Sequence, residues 1–203
     1  LGPCQEDVPF SRAIHPTTWR PWWCFGCGGL GDIGCHTIDT AYWALGLGAP
    51  DRVEVDMTEK ANPIHTPNGS IVTYKFPARG KQPAVDVKWI EGPRLPKAPK
   101  GYDWEIKGNG GFIMVGEKGG ISHDGMRPNS PRLYPKSRWE SYRKNANERV
   151  PKTLKRVPGI HNDWVNGIRN SEMTVSDFSY SGPLTESIIL GTLAIRTGKG
   201  LEW

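Results

Sequence analysis

From residue 30 to residue 47 the apolar positions repeat with a helical period. At about 100° per residue, Leu30, Ile33, Gly34, Ile38, Ala41 and Leu45 fall on one side, and Asp32, His36, Asp39 and Trp43 on the other. The pattern predicts a helix with a core face and a polar stripe, stopped by Gly46, Gly48 and Pro50. After it the period changes. Short alternating or β-branched runs at 52–58, 70–76, 84–90 and 112–115, separated by Asn68-Gly69 and by Glu117-Lys118-Gly119-Gly120, predict strands of a largely antiparallel sheet. Two helices follow. In 161–170, Trp164, Val165 and Ile168 stand at core spacing. In 183–197, Leu184, Ile188 and Ile195 do so, with Ile189, Leu190 and Leu193 beside them. Pro183 stands where a first helical residue tolerates proline, and Arg196 with Gly198 closes the other end. The order of elements predicts an α+β fold, an open and mostly antiparallel β-sheet with helices packed on one face.

Composition adds boundaries. A length of 203 residues favours one substantial core, placed here over 19–203, with 1–18 as a proline-broken linker or lead-in. The chain opens on Leu1 and stops just after an apparent strand onset at 200–203, so it reads as a piece of something longer. High Gly (25) and Pro (18) counts point to irregular connections: an exposed excursion at 92–100 and a long surface connection at 127–158. Net charge is +5, but Lys and Arg are scattered without a dense run; an anionic small molecule suits that distribution as well as nucleic acid does. Nucleic acid and membrane are not expected partners, since no apolar run approaches the roughly 18 residues needed to span a bilayer. Cytoplasmic and periplasmic locations both stay open. Three of the four cysteines lie within twelve residues and lack the density of a disulfide scaffold, so reduced thiols are expected.

The chemistry concentrates in 19–39. Asp32 and His36 are four apart, hence neighbours on one helix face, and a carboxylate beside an imidazole suits acid–base work on a hydroxyl. Taken alone, such a pair is more often a surface interaction. Gly28, Gly29 and Gly31 leave the backbone bare at the helix start, which favours an anion or a close-approaching ligand, or else only a tight turn. The spacing is not a dinucleotide fingerprint. Cys24, Cys27, Cys35 and His36 raise zinc, although a second ligand pair at finger spacing is missing. Trp19, Trp22 and Trp23 could stack on a sugar or pack in a core, and Arg20 suits a phosphate or carboxylate. His15, His65 and His123 receive no partner, and His161 opens a helix.

These residues resemble a known family. Trp19-Arg20, Trp22-Trp23, Gly28-Gly29 and Asp32-x-Gly34-x-His36-x-x-Asp39 look like the second domain of the glucose-fructose oxidoreductase, inositol dehydrogenase and rhizopine-catabolism (Gfo/Idh/MocA) family. Gly111-Phe112-x-x-Val115-Gly116 and Gly182-Pro183-Leu184-Thr185-Glu186 extend the likeness. The resemblance implies an oxidoreductase that uses NAD or NADP, bound mainly by a preceding Rossmann domain, and acts on a sugar, polyol or related carbohydrate. It implies Asp32 and His36 as the catalytic pair and Trp19 and Arg20 on the cofactor side. Trp22, Trp23, Asp39 and His161 are assigned to the substrate, and the sheet face to a homo-oligomer contact. Cys24 departs from the pattern, standing where relatives with this Trp-rich motif are usually acidic. Rival readings are a glycosidase using transient oxidation, a non-catalytic carbohydrate-binding or oligomer-assembly domain, and a zinc-stabilised module.

Overall fold

The computed structural model describes residues 7–12, 14, 17–93, 96–100, 102, 104, 110–145, 149–154 and 156–203. Helix α1 (Gly28–Leu45) is followed by strands β1 (Arg52–Met57), β2 (Ser70–Phe76), β3 (Val85–Glu91), β4 (Gly111–Gly116), β5 (Gly119–Asp124) and β6 (Asn129–Tyr134). Helices α2 (Lys136–Lys144), α3 (Ile160–Asn170) and α4 (Phe178–Thr197) come next, and β7 (Leu201–Glu202) closes the order.

The α+β class and the antiparallel pairing match the sequence pattern, but the strands form two sheets. One has the order β3-β2-β1-β7; the other is the meander β4-β5-β6. Strands β5 and β6 and helix α2 occupy ground where the sequence shows only turn residues and a basic, proline-bearing connection. Their apolar alternation is too short to register, and the meander is held by ladder bonds and by packing on other elements.

Alternation sorts the four-stranded sheet, with Thr73 of β2 buried out of phase. Val72, Tyr74 and Phe76 on β2 stand opposite Trp89, Val87 and Val85 on β3, and all face the helices. With Val53 they bury against Leu30, Ile38, Ala41 and Tyr42 of α1 and Leu184, Ile188, Ala194 and Ile195 of α4. Each such aliphatic side chain contributes roughly 1.5–3 kcal/mol on burial. The outer face carries ions in pairs: Lys75 with Asp86 at 2.6 Å, and Arg52 with Glu54 and Glu202 at 3.4 and 3.3 Å.

Helix α4 begins at Phe178, five residues before Pro183, capped by the Asp177 carboxylate, which accepts the Ser179 amide at 2.8 Å. The apolar spacing of α3 is real but faces outward: Trp164 and Ile168 are 62% and 66% exposed, and the buried residue is Asp163, which accepts the Val175 amide. On α4, Ile189 and Leu193 are also exposed, while Leu190 is in the core. At the far end of α1, Arg79 donates to the Leu45 carbonyl at 3.4 Å and to the Pro77 carbonyl at 2.7 Å. Among the described residues no helix is long and apolar enough to cross a membrane.

Glu91, at the end of β3, accepts the Ser70 hydroxyl at 2.8 Å. Burial pushes its carboxyl above the usual carboxylate range, against the pull of Ser70 and Trp89 toward ionisation. A carboxyl raised on folding stabilises fully below the ordinary carboxylate range, and that contribution is lost as pH climbs through the raised value. Thermal unfolding followed from about pH 4 to about pH 7 should therefore show the wild type losing stability relative to Glu91→Gln as pH rises.

Candidate active site

The start of α1 is shaped by close approach. Gly28 has φ +75°, and its amide donates to the Arg20 carbonyl at 3.0 Å; a β-carbon there would lie 2.6 Å from Thr66 Cγ2. At Gly29 a β-carbon would meet Glu91 Oε2 at 2.4 Å, and at Gly31 the Cys27 sulfur at 2.2 Å. The glycines let Thr66, Glu91 and Cys27 press on the first turn. The expected anion cradle finds one of its amides already bonded and a carboxylate lying alongside.

The polar stripe of α1 brings the candidate groups together. Arg20 Nε donates to Asp32 Oδ2, and its Nη1 to the Thr17 carbonyl at 3.2 Å, with the guanidinium 5.4 Å from the Trp19 ring centre. The structure thus joins the expected cofactor-side arginine to one expected catalytic carboxylate. Both side chains are a third or more open to solvent or nearly so (39% and 32%), which keeps the stabilising value of the ion pair within about 1 kcal/mol. Asp39 Oδ1 accepts the hydroxyl of Tyr180, from the first turn of α4. His36 stands exposed between the two carboxylates and makes no hydrogen bond to another described residue. Asp32 and His36 share a face, but the bond that Asp32 makes is to Arg20.

The tryptophans divide. Trp23 is held by its indole N–H to the Asn62 carbonyl at 2.8 Å, by its amide to the Ile64 carbonyl at 2.9 Å, and by Arg196 stacked 5.4 Å over its ring. Trp22 meets the edge of His65 at 6.0 Å. Both lie half-buried against the β1–β2 connection. His161 is exposed on α3 and has no hydrogen-bond partner among the described residues. His15 lies outside the described residues.

Three residues that sequence reasoning passed over matter here. Tyr180 is one. Its phenol is pushed up by burial first and then by Asp39, so it stays a donor. Asp177, an N-cap type placed just upstream, was the signal that α4 begins early enough to include it. Glu91, under Gly29, is the second. His123 is the third: only 3% exposed, it stacks on Phe112 at 5.2 Å and meets the Thr40 hydroxyl at 3.4 Å, where a register shift between Ser122 and Asp124 breaks the alternation.

Cys24, Cys27 and Cys35 form no disulfide. Among the described residues no group of three or more His, Cys, Asp or Glu could hold a metal ion, so the zinc reading finds no ligand set there. Burial, then the charge of Asp32, pushes the Cys27 thiol up, opposite to the shift that activates a cysteine.

Helices lie on one face of the four-stranded antiparallel sheet, and the glycine-led α1 carries Asp32, His36 and Asp39 along one stripe. Compared with family models, the chain matches the GFO/IDH/MocA C-terminal domain over residues 5–122, and it belongs to that family. The match runs from the lead-in into β5 and leaves α2, α3 and α4 outside it. A search of curated proteins finds no match. Members of the family are generally oxidoreductases and typically bind NAD(P) through the N-terminal domain. The residues here fit an edge contact to such a cofactor: Arg20 commits Nε and Nη1, leaving Nη2 for an oxygen of a dinucleotide. They do not fit a phosphate cradle, because the segment before α1 is turns rather than a strand.

Proposed function

We propose that this domain is the substrate-binding and catalytic half of an NAD(P)-dependent oxidoreductase acting on a sugar, polyol or related carbohydrate. The observation that carries the reading is His36: an exposed imidazole with no partner among the described residues, one turn from each of two carboxylates held by other groups. A free imidazole nitrogen takes the proton of a substrate hydroxyl, and Asp39, which has no ion-pair partner among the described residues, adds negative charge to the face that then holds an imidazolium. A nicotinamide cofactor, when bound, would supply the acceptor for the hydride that leaves the substrate carbon. Arg20 and Trp19 would hold the cofactor edge, and Trp22 the apolar face of the sugar. A homo-oligomer contact through the outer sheet face belongs to the proposal, with the ion pairs of Lys75, Asp86, Arg52 and Glu54 beside the Ile71–Ile90 pair as its chemistry.

The test is reduction of NAD or NADP, followed by absorbance, with a panel of sugars and polyols in the polypeptide that also carries its dinucleotide-binding domain. Turnover with at least one ring polyol is expected. Sugar binding with no cofactor dependence and no turnover would instead support the non-catalytic carbohydrate-binding reading. Release of a free sugar from a glycoside without net cofactor reduction would support the glycosidase variant.

A further inference from the structure

The two carboxylates beside His36 are not equivalent. Asp32 is neutralised by the Arg20 guanidinium. Asp39 has no ion-pair partner among the described residues; its bond is from the Tyr180 hydroxyl, a neutral donor kept protonated by burial and by Asp39 itself. That bond uses Oδ1 and leaves Oδ2 without a partner among the described residues. Tyr180 is itself held from behind, its ring edge-to-face with Tyr42 at 5.8 Å and 76°, while Tyr42 is buried in the core and donates to the Gly48 carbonyl at 3.1 Å. A side chain packed this way has little rotamer freedom, so the carboxylate it bonds is held in one orientation.

Positions 36 and 39 are three apart on α1, which sets their β-carbons about 5–6 Å apart on the same face. From that separation an imidazole and a carboxylate can converge on two neighbouring hydroxyl groups of one ring. We infer that Tyr180 is a positioning residue: it fixes Asp39 so that Oδ2 accepts the hydroxyl next to the one whose proton His36 takes, which selects substrates carrying a vicinal diol. This rests on the functional reading above and adds to it a donor on a different helix and a feature of the substrate. Asp39 acts here through a hydrogen bond made equally before and during reaction, so the interaction belongs to binding, and its loss falls on KM.

The experiment has two arms, each using Tyr180→Phe, Asp39→Asn and the double variant. The first is thermal unfolding of the chain itself. If the bond is made, each single substitution lowers Tm by about 2–4 °C, and the double variant is no lower than the worse single. Additive losses overturn the positioning role. The second arm measures kcat and KM in the polypeptide with its dinucleotide-binding domain, using a cyclic vicinal diol and the matching ring alcohol that lacks the neighbouring hydroxyl. Tyr180→Phe is expected to raise KM for the diol about tenfold with a far smaller change in kcat, the penalty shrinking for the mono-alcohol. A fall in kcat at unchanged KM, or an equal KM penalty on both alcohols, overturns the vicinal-diol assignment. A wild-type protein that turns over no alcohol sinks the functional reading, and with it the substrate assignment, while the unfolding arm still decides whether Tyr180 holds Asp39.

Discussion

Replacing His36 by alanine lowers kcat by roughly 10²–10⁴-fold in the polypeptide that carries both domains, the usual range for losing a positioned acid–base group. The side chain is exposed and bonded to no described residue, so the loss cannot be assigned to a collapsed core. Thermal midpoints of variant and wild type should agree within a degree or two, as expected for a surface substitution away from caps and networks. KM should move little, because the proton is taken only as the reaction proceeds. Added imidazole should recover part of the lost rate, since the space vacated is open to solvent. If His36→Ala retains wild-type turnover, the role assigned to this residue is wrong, whatever the substrate.

Gly191→Ala should be among the most destabilising single-methyl changes in the molecule. Helix α4 presses onto β2 and α1 at this residue. A β-carbon there would lie 2.0 Å from the hydroxyl oxygen of Tyr74 and 2.8 Å from Leu30 Cδ2. Leu30 and Tyr74 are almost fully buried, at 0% and 1% exposure, and cannot swing away. Overpacking of this kind costs about 1–3 kcal/mol, which exceeds the gain of up to about 1 kcal/mol from replacing glycine by alanine inside a helix. For a domain of this length each kcal/mol is worth about 2–4 °C in Tm. The Tyr74 hydroxyl is also buried without a hydrogen-bond partner, and burial, with Glu91 nearby, pushes its ionisation up. Tyr74→Phe removes both the orphan hydroxyl and the nearest clashing atom. It should leave the wild-type background as stable or more so, and recover part of the loss in Gly191→Ala, since Tyr74 Cζ and Leu30 Cδ2 would still lie 2.8 Å from the added carbon. Denaturant unfolding of the two single variants and the double variant measures this; a double variant no better than Gly191→Ala alone would place the clash elsewhere.

Legibility followed periodicity. Helix α1 and strands β1 to β3 have long runs with a single period, and their boundaries in the structure lie within a few residues of those read from the chain. The stripe of Asp32, His36 and Asp39 was legible for the same reason, since one helix places all three. What was not legible depends on residues far apart in sequence. Nothing near Arg20 announces that its guanidinium turns to Asp32, and Tyr180 reaches Asp39 only because α4 starts at Phe178 rather than at Pro183. The β5–β6 segment carries glycine, proline and charged residues where a strand would alternate, and its pairing comes from the neighbouring strand. On α3 the helical period was readable, but a period says that a face is apolar without saying which way it points.

Helix α1 is fastened at both ends by arginines that do not belong to it. At its start Arg20 accepts the Gly28 amide with its carbonyl and grips Asp32 with its side chain; at its end Arg79 takes the Leu45 carbonyl, a cation at the negative pole of the helix. Sliding or rolling the helix would break several of these bonds together. Helix α1, and with it Asp32, His36 and Asp39, is therefore held in a single position relative to the segments that carry Arg20 and Arg79.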